Sequence, residues 1–331
     1  AAKAFLQSTG NRQLEAQAKV KGVRARIDNA NKQVASIREP ARQRLLSARK
    51  KDHKKPIPSG PKPFAAWDFA RDTKDRIGKM HLNLQGGAKI DKGTLMLDGR
   101  SAIARSKPLT KAISAKTLEA WVQLNNTNQR GGGVISLQTQ NGKRFDAIVY
   151  GERDPGQWMA GSNGFVRTQG FNGPVDRDAN KRPVHIAIVY QSDGTITGYR
   201  DGKPYGRPYK TGIQNFKAGG SEIIFGLRHG TGPGNGRMLS GKILKARLYD
   251  RALKADEVMA SGNGNPNYIS EKELLANLTQ AQREKLTELN TSLAKLNEEL
   301  RTLEEVGASA PDPWRDLAQA MFNLKEFIYL Q

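Results

Sequence analysis

Hydrophobic and polar residues alternate most regularly over Thr117–Leu124, where Leu118, Ala120, Val122 and Leu124 interleave with Thr117, Glu119, Trp121 and Gln123. A period of two puts the apolar set on one face of a strand. The opposite face carries a carboxylate, an indole and an amide, so it either holds a ligand or lies under a loop. Similar alternations recur at Phe64–Phe69, Thr94–Leu97, Ala102–Arg105, Val134–Thr139, Phe145–Tyr150, Val184–Tyr190, Thr195–Arg200, Ser221–Leu227 and Lys242–Tyr249. Tight-turn signals stand at Asp98-Gly99, Asn141-Gly142, Asp193-Gly194 and Asp201-Gly202, because Gly tolerates positive φ. Such a run of strands without intervening helices predicts a two-sheet antiparallel sandwich. Two longer stretches, Gly151–Arg182 and Arg228–Arg237, read as insertions, and long loops in compact sandwiches often carry function.

Both flanks change period. Val20, Val23, Ile27, Ala30, Val34, Ile37 and Ala41 step by three and four, predicting a basic helix over 1–50 with a coiled-coil seam. Two Ala positions weaken that seam, and Pro40 is expected to kink or restart the helix near Glu39. Residues 51–63 are a basic, Pro-rich linker that cannot continue a helix, which puts a domain boundary ahead of a sandwich at 64–262. Leu253–Ala260 reads as a short helix. Ser270 with Glu273, and Thr279 with Gln282, have capping-box spacing. Leu286, Leu289, Leu293, Leu296, Leu300 and Leu303 form a stronger, acidic seam over 270–306. Over 312–331, Leu317, Ala320, Met321, Leu324, Phe327 and Ile328 predict an amphipathic helix that needs a partner surface. The expected architecture is mainly β, with the sandwich inserted in an antiparallel coiled-coil hairpin; dimerisation through the same seams is the rival arrangement.

Charge separates the flanks further. The chain carries a net +22; residues 1–63 hold 16 Lys/Arg against 4 Asp/Glu, and residues 270–306 hold 5 against 8. Either the two segments pair, or the basic one attracts a polyanion such as acidic polysaccharide, nucleic acid or an anionic surface. The basic helix lacks interleaved aromatics for base stacking, so nucleic acid is the weaker partner. There is no cysteine, which excludes disulfides, thiolate metal sites, a Cys nucleophile and Cys-x-x-Cys-His haem attachment. No apolar run approaches the roughly 18 residues needed to cross a bilayer. The first residue is Ala1 and no signal-like segment follows, so the chain reads as a processed product or a fragment.

Ala66-Trp67-Asp68-Phe69, Leu97-Asp98-Gly99, Thr117-Leu118-Glu119-Ala120-Trp121-Val122, Val184–Tyr190, Tyr199-Arg200-Asp201-Gly202 and Ala246–Leu253 together resemble a LamG-like jelly roll of the concanavalin A-like lectin/glucanase superfamily. The resemblance covers about residues 64–260. Ile37-Arg38-Glu39-Pro40-Ala41-Arg42 and Asp316–Phe327 are similar to the flanks of large planctomycete-type surface proteins, in which such a domain is inserted beside cytochrome c-like regions. That resemblance implies a periplasmic or cell-surface location. The haem motif is absent here, so no haem role carries over.

The resemblance also implies carbohydrate as ligand and calcium as metal. A sugar site needs an aromatic plate and planar polar groups. Glu119 and Trp121 on one strand, Asp146, Tyr150 and Glu152 on another, Trp158, Asn163 and Phe165 in the first insertion, and Arg228 and His229 opening the second supply that set. The plain alternative pairs Glu119 with an Arg and packs Trp121 and Trp158 under a loop. Asp68 and Asp98 are the candidate calcium ligands, against ordinary turn roles. Four scattered His residues have no paired zinc spacing. The Glu-x-Asp-x-x-Glu pattern of the glucanase branch is missing, and Glu152-Arg153-Asp154 has the wrong alternation. The expected function is a non-catalytic binding or assembly module. Carbohydrate is the first ligand class; the alternative is a structural subunit docking other protein chains through its coils and C-terminal helix.

Overall fold

The computed structural model describes residues 2–51, 60–234, 236–263 and 268–309, with side chains over 15–49, 60–234, 236–262 and 268–304. The chain divides into two compact units: Pro56–Tyr268, and Ala1–Lys55 together with Ile269–Gln331. The helix expected over 312–331 lies outside the described residues, as does most of the linker expected at 51–63.

Pro56–Tyr268 is a sandwich of two antiparallel sheets. The nine-stranded sheet holds β1 (Ala65–Trp67), β3 (Lys89–Asp91), β4 (Thr94–Asp98), β6 (Lys116–Leu124), β10 (Val184–Tyr190), β11 (Thr195–Arg200), β12 (Lys203–Pro204), β13 (Tyr209–Lys210) and β15 (Ser240–Tyr249). The six-stranded sheet runs β2 (Leu82–Gln85), β5 (Ile103–Ser106), β14 (Ser221–Phe225), β7 (Gly132–Thr139), β8 (Phe145–Tyr150) and β9 (Trp158–Ser162). β6 is central, hydrogen-bonded to β10 on one side and β15 on the other, so that Ala120 stands opposite both Ile186 and Ala246. Its expected apolar set, Leu118, Ala120, Val122 and Leu124, is buried in the core between the sheets with Ile135, Leu137 and Ile148. A bulge in β15 between Ile243 and Lys245 restores the register beside Trp121. The four Asx-Gly turns all have positive φ at Gly, and Asp201 joins Gly202 at φ 50, the pair of values a type I′ hairpin requires.

A second apolar layer lies on the outer face of the nine-stranded sheet. There Ala187, Val189, Tyr199 and Tyr249 pack with Leu253 and with Val258 of α2 (Ala255–Asn263). Burial on both sides explains why β10 reads as a near-continuous apolar run, Val-His-Ile-Ala-Ile-Val-Tyr.

The first expected insertion is only partly loop. It contains β9, whose Trp-Met-Ala-Gly-Ser sequence lacks alternation because both of its faces are buried. An edge strand of this composition has no period to detect.

In the helical unit, α1 (Ala2–Lys51) runs antiparallel to α4 (Gln280–Ser309), with α3 (Glu271–Ala276) beside it. Arg24 pairs with Glu304 at 2.8 Å, Arg26 with Glu299 at 3.4 Å and Arg38 with Glu271. Val34, Ile37 and Ala41 pack with Leu274, Leu278 and Leu286. The exposed ion pairs contribute little, about 0–1 kcal/mol each, so the apolar seam sets the register. Thr279 and Gln282 complete a reciprocal capping box. Ser270 caps Glu273 N, while the Glu273 carboxylate turns to Arg49 at 2.5 Å. α1 continues through Pro40 as one helix, against the expected restart. A proline removes only its own N–H from the ladder, and fully buried Ala41 fixes the following turn in the core of this unit.

Candidate functional site

Glu119 projects from β6 under α2 and is fully buried. Its Oε1 accepts from His185 Nε2 at 2.7 Å. Its Oε2 accepts from Ser261 Oγ of α2 at 2.6 Å and Tyr249 OH at 3.2 Å, with Arg247 Nη1 3.6 Å away. Burial pushes this carboxyl up; hydrogen bonds from His185 and Ser261 and the Arg247 charge outweigh it and leave it below the usual range. Trp121, two residues on, is half-buried. The His185 ring lies 4.6 Å from it, and the Arg247 and Lys245 cations lie 4.9 and 5.6 Å from its centroid. Glu119 therefore clamps α2 to the sheet, and the Trp121 ring is engaged by the chain's own side chains.

Asp146 and Tyr150 share a face, as the alternation predicts, but it is the face turned to the other sheet. The outward residues of β8 are Phe145, Ala147 and Val149, which form a buried apolar cluster with Met159. With both faces buried, the period alone could not say which pointed inward. Asp146 is fully buried, 2.8 Å from Lys116 Nζ and paired with Arg167. Lys116 also donates to Ser114 O at 2.9 Å, and its ammonium lies 4.7 and 4.9 Å from the Tyr190 and Phe216 rings. Burial pushes the Lys116 ammonium down, against the pull of Asp146.

Glu152 meets Arg228 at 2.5 Å. Burial raises the Glu152 carboxyl and lowers the Arg228 guanidinium. His229 stacks on Phe145 with centroids 4.3 Å apart and 7° between planes. Burial, with Arg228 and Arg237 nearby, holds its imidazole below the usual value. The next peptide exchanges two hydrogen bonds with Gln138, Gly230 N to Oε1 at 2.9 Å and Nε2 to Gly230 O at 3.0 Å. Arg228–Thr231 thus lies on the outer face of the six-stranded sheet and covers it over Arg105, Gln138 and Phe145.

Trp158 is core, not a plate. Its ring packs edge-on to Tyr150 at 4.8 Å, and Nε1 donates to Asp176 Oδ2 at 2.7 Å. Asp176 also takes Arg200 Nε at 2.7 Å and the N–H groups of Asp178 and Ala179 at 3.0 Å. Asn163–Phe165 form a 3-10 turn with Phe165 exposed, and the Arg153 guanidinium lies 5.7 Å from its ring.

The Asp176 anchor shapes a groove of about 400 Å³ at this end of the sandwich, lined by Asn128, Pro155, Val175, Arg177, Asn180 and Lys181. Tyr150 forms its base and donates to Thr127 O at 3.3 Å. Asn128, Arg177, Asn180 and Lys181 are exposed. Of the sequence-predicted ligand residues, only Tyr150 reaches this groove. The others escaped notice because they stand in a polar loop without periodicity; Pro174-Val-Asp-Arg-Asp-Ala-Asn-Lys-Arg182 offered only its density of charge and amide.

Asp68 and Asp98 are occupied acceptors. Asp68 takes Ala70 N at 3.1 Å and Arg76 Nη2 at 2.9 Å. Asp98 accepts from the N–H groups of Arg100, Ser101 and Ala102 at 2.8–2.9 Å, which against the effect of burial brings its carboxyl down to about 2. Among the described residues no three His, Asp or Glu side chains converge as metal ligands. Calcium does not fit these donors, whose oxygens already cap loops.

Residues 98–259 match the family described as the concanavalin A-like lectin/glucanases superfamily. Over these residues the sandwich has a concanavalin A-like fold. A search of curated proteins found no match. Among solved structures, the chain is similar to domain 4 of the extracellular arabinanase AbnA from Geobacillus stearothermophilus, in complex with arabinotriose. The identity there is 15% and the TM-score 0.48, over 62% of this chain and 100% of that one. It is also similar to the Ruminococcus gnavus IT-sialidase CBM40 bound to α2,3-sialyllactose (13% identity, TM-score 0.40, 56% and 100% covered). A third likeness is to Trypanosoma rangeli sialidase (14%, 0.44), where this chain spans only 37% of the other. In the concanavalin A-like domain described here, every carboxylate on β6, β8 and β14 is committed: Glu119 and Asp146 as above, and Glu222 to Arg105.

Proposed function

We propose that the concanavalin A-like domain is a non-catalytic carbohydrate-binding module whose ligand sits in the groove between Asn128, Val175 and Lys181. The observation that carries this reading is the groove's chemistry. Two exposed carboxamides can each bridge a pair of sugar hydroxyls, Pro155 and Val175 offer apolar contact for C–H faces, and Arg177 and Lys181 add positive charge. The one carboxylate lining it, Asp176, is consumed by Arg200, Trp158 and backbone N–H groups. Positive charge without a free carboxylate favours an acidic polysaccharide, such as a uronate polymer, over a neutral one. Non-catalysis is supported by the same accounting, since two free carboxyls about 5–5.5 Å apart are what retaining hydrolysis needs.

The test is binding of polygalacturonate and of a neutral glucan at moderate salt. The acidic polymer should bind, and Asn180→Ala or Lys181→Ala should each weaken it about tenfold, the ~1.4 kcal/mol of one hydrogen bond involving a charged or well-placed group. Phe165→Ala, outside the groove, should leave it unchanged. Undiminished binding by the Asn180→Ala Lys181→Ala double variant would assign the polyanion to the basic α1 instead. Hydrolysis of the bound polymer, lost in Glu152→Gln, would overturn the non-catalytic reading.

A further inference from the structure

Six large apolar side chains are exposed among the described residues, and three of them meet at one end of the sandwich: Val166 at 72%, Ile213 at 50% and Phe165 at 44%. Phe165 and Val166 belong to the turn after β9, and Ile213 stands in the loop between β13 and β14. A methyl group at Gly212 would lie 3.8 Å from Arg167 Cδ, so the two segments are neighbours. Asp146 pairs with Ser162, which sets the β7–β8 turn beside them.

The turn that carries the aromatic ring is built against its own preference. Val166 N donates to Asn163 O at 3.2 Å, and both central residues have positive φ, 58° at Gly164 and 57° at Phe165. A turn of that hand suits Asn or Gly at its centre, and a bulky residue there is strained. The base of the turn holds it. Arg167 N donates to Ser162 Oγ at 3.1 Å, the Ser162 and Thr168 hydroxyls lie 2.8 Å apart, and Thr168 Oγ1 donates to Ala160 O at 2.9 Å. A pinned and strained backbone thus keeps Phe165 and Val166 turned outward, where the core gains nothing from them.

Charge points to the partner. Residues 140–144, 163–166 and 210–217 hold Lys143, Arg144, Lys210 and Lys217 and no Asp or Glu. All four cations are exposed. Asp193, in the adjoining β10–β11 turn, lies 4.0 Å from Lys210. Apolar side chains at a tip, with cations around them, match an anionic bilayer surface: the acyl boundary takes the apolar groups and the headgroups take the charge. A soluble polyanion would engage the cations and leave the apolar groups in water.

We propose that the Asn163–Val166 turn and Ile213 form a membrane-docking tip, which seats Phe165 and Val166 in the surface of an anionic bilayer while Lys143, Arg144, Lys210 and Lys217 meet its headgroups. The tip lies at the Phe145 end of β8 and the sugar groove at the Tyr150 end. Docking therefore turns the groove away from the lipid, and the proposal does not depend on what the groove binds.

The test sediments the full-length protein with vesicles of phosphatidylcholine containing about a third phosphatidylserine, and with phosphatidylcholine alone. Partitioning onto the anionic vesicles should be about tenfold stronger or more. Phe165→Gly combined with Val166→Ser removes both apolar groups, and Gly accepts the positive φ, so the turn keeps its shape. Partitioning should then fall about tenfold, as withdrawal of an aromatic side chain from an apolar phase implies. Lys143→Gln with Arg144→Gln should lower it by about as much. An unchanged melting temperature confirms that each variant is folded. Because the chain has no cysteine, Val166→Cys takes a single polarity-sensitive label. Its emission should shift to the blue on anionic vesicles, whereas the same label at Asn180→Cys in the groove should not shift. Partitioning that both double variants leave unchanged would assign the lipid to the basic α1 and overturn the proposal. An unshifted label at Val166→Cys, equal partitioning onto the two kinds of vesicle, or none onto either would overturn it as well. So would a dimer in sedimentation velocity that Phe165→Gly Val166→Ser dissolves, since a second copy would then cover the tip.

Discussion

Asp146→Ala should destabilise the sandwich by about 3–5 kcal/mol, the cost of removing one partner from a buried ion pair. Total stabilities of roughly 5–15 kcal/mol make that a large fraction of what holds the domain together. The reason lies in the charge count of the site. Lys116 and Arg167, whose side chains are 1% and 10% exposed, share one fully buried carboxylate. Removing it leaves two cations facing carbonyl oxygens and aromatic rings without their shared carboxylate. Lys116→Met is the informative companion. It leaves Asp146 and Arg167 as a neutral pair and keeps the volume of the lysine stem, so its cost should stay within about 1.5 kcal/mol, as for a volume-conserving swap. Urea unfolding followed by tryptophan fluorescence measures both, with an unchanged slope confirming that the native fold is the one being compared. Equal losses in the two variants would mean that the cluster is held by packing and not by its charges.

Glu119→Gln should also cost several kcal/mol, about 3–5 by the same rule for buried pairs, and it should change the acid limb of the stability curve. In the folded chain this carboxyl lies below its usual value because His185, Arg247 and Ser261 together outweigh burial. A carboxylate whose folded pKa is lower than its unfolded one stabilises the fold fully above the unfolded value, about 4.3. That contribution falls away as pH drops from there through the lower folded value. Melting temperature measured from pH 7 to pH 3 should therefore fall more steeply below about pH 4.5 in the parent than in Glu119→Gln. Hydrogen exchange locates the effect: α2, held by Ser261 and Val258, should lose protection first. Parallel curves for parent and variant would show that the clamp does not depend on the charge of Glu119.

The extent of what was legible in the residues differs between sheet and site for a definite reason. Leu118, Ala120, Val122 and Leu124 announced a core face because their neighbours on β6 were polar. The Asx-Gly pairs announced hairpins because only a few residues accept their backbone angles. Phe145–Tyr150 misled because apolar residues stand on both of its faces, and alternation carries no sign once both are covered. Glu119 and Trp121 were placed on the correct face. That this face was closed depended on α2, which arrives more than 130 residues later in the chain and reaches Glu119 through Ser261. The groove itself could not be found by pattern. Asn128, Arg177 and Asn180 converge through the hydrogen bonds of Asp176, an arrangement that no local spacing encodes.

The pairing of β6 has a consequence for the order in which the protein is made. Glu119 stands opposite Ala187 in β10 and Arg247 in β15, so its two neighbours are synthesised 68 and 128 residues after it. One edge of β6 stays open until β10 has left the ribosome and the other until β15 has, and contacts of such long sequence separation form slowly. α1 waits longer still, since α4 begins at Gln280. α1 thus emerges ahead of the sandwich yet acquires its partner after it, and its abundance of lysine and arginine keeps that orphaned helix dispersed in water in the interim.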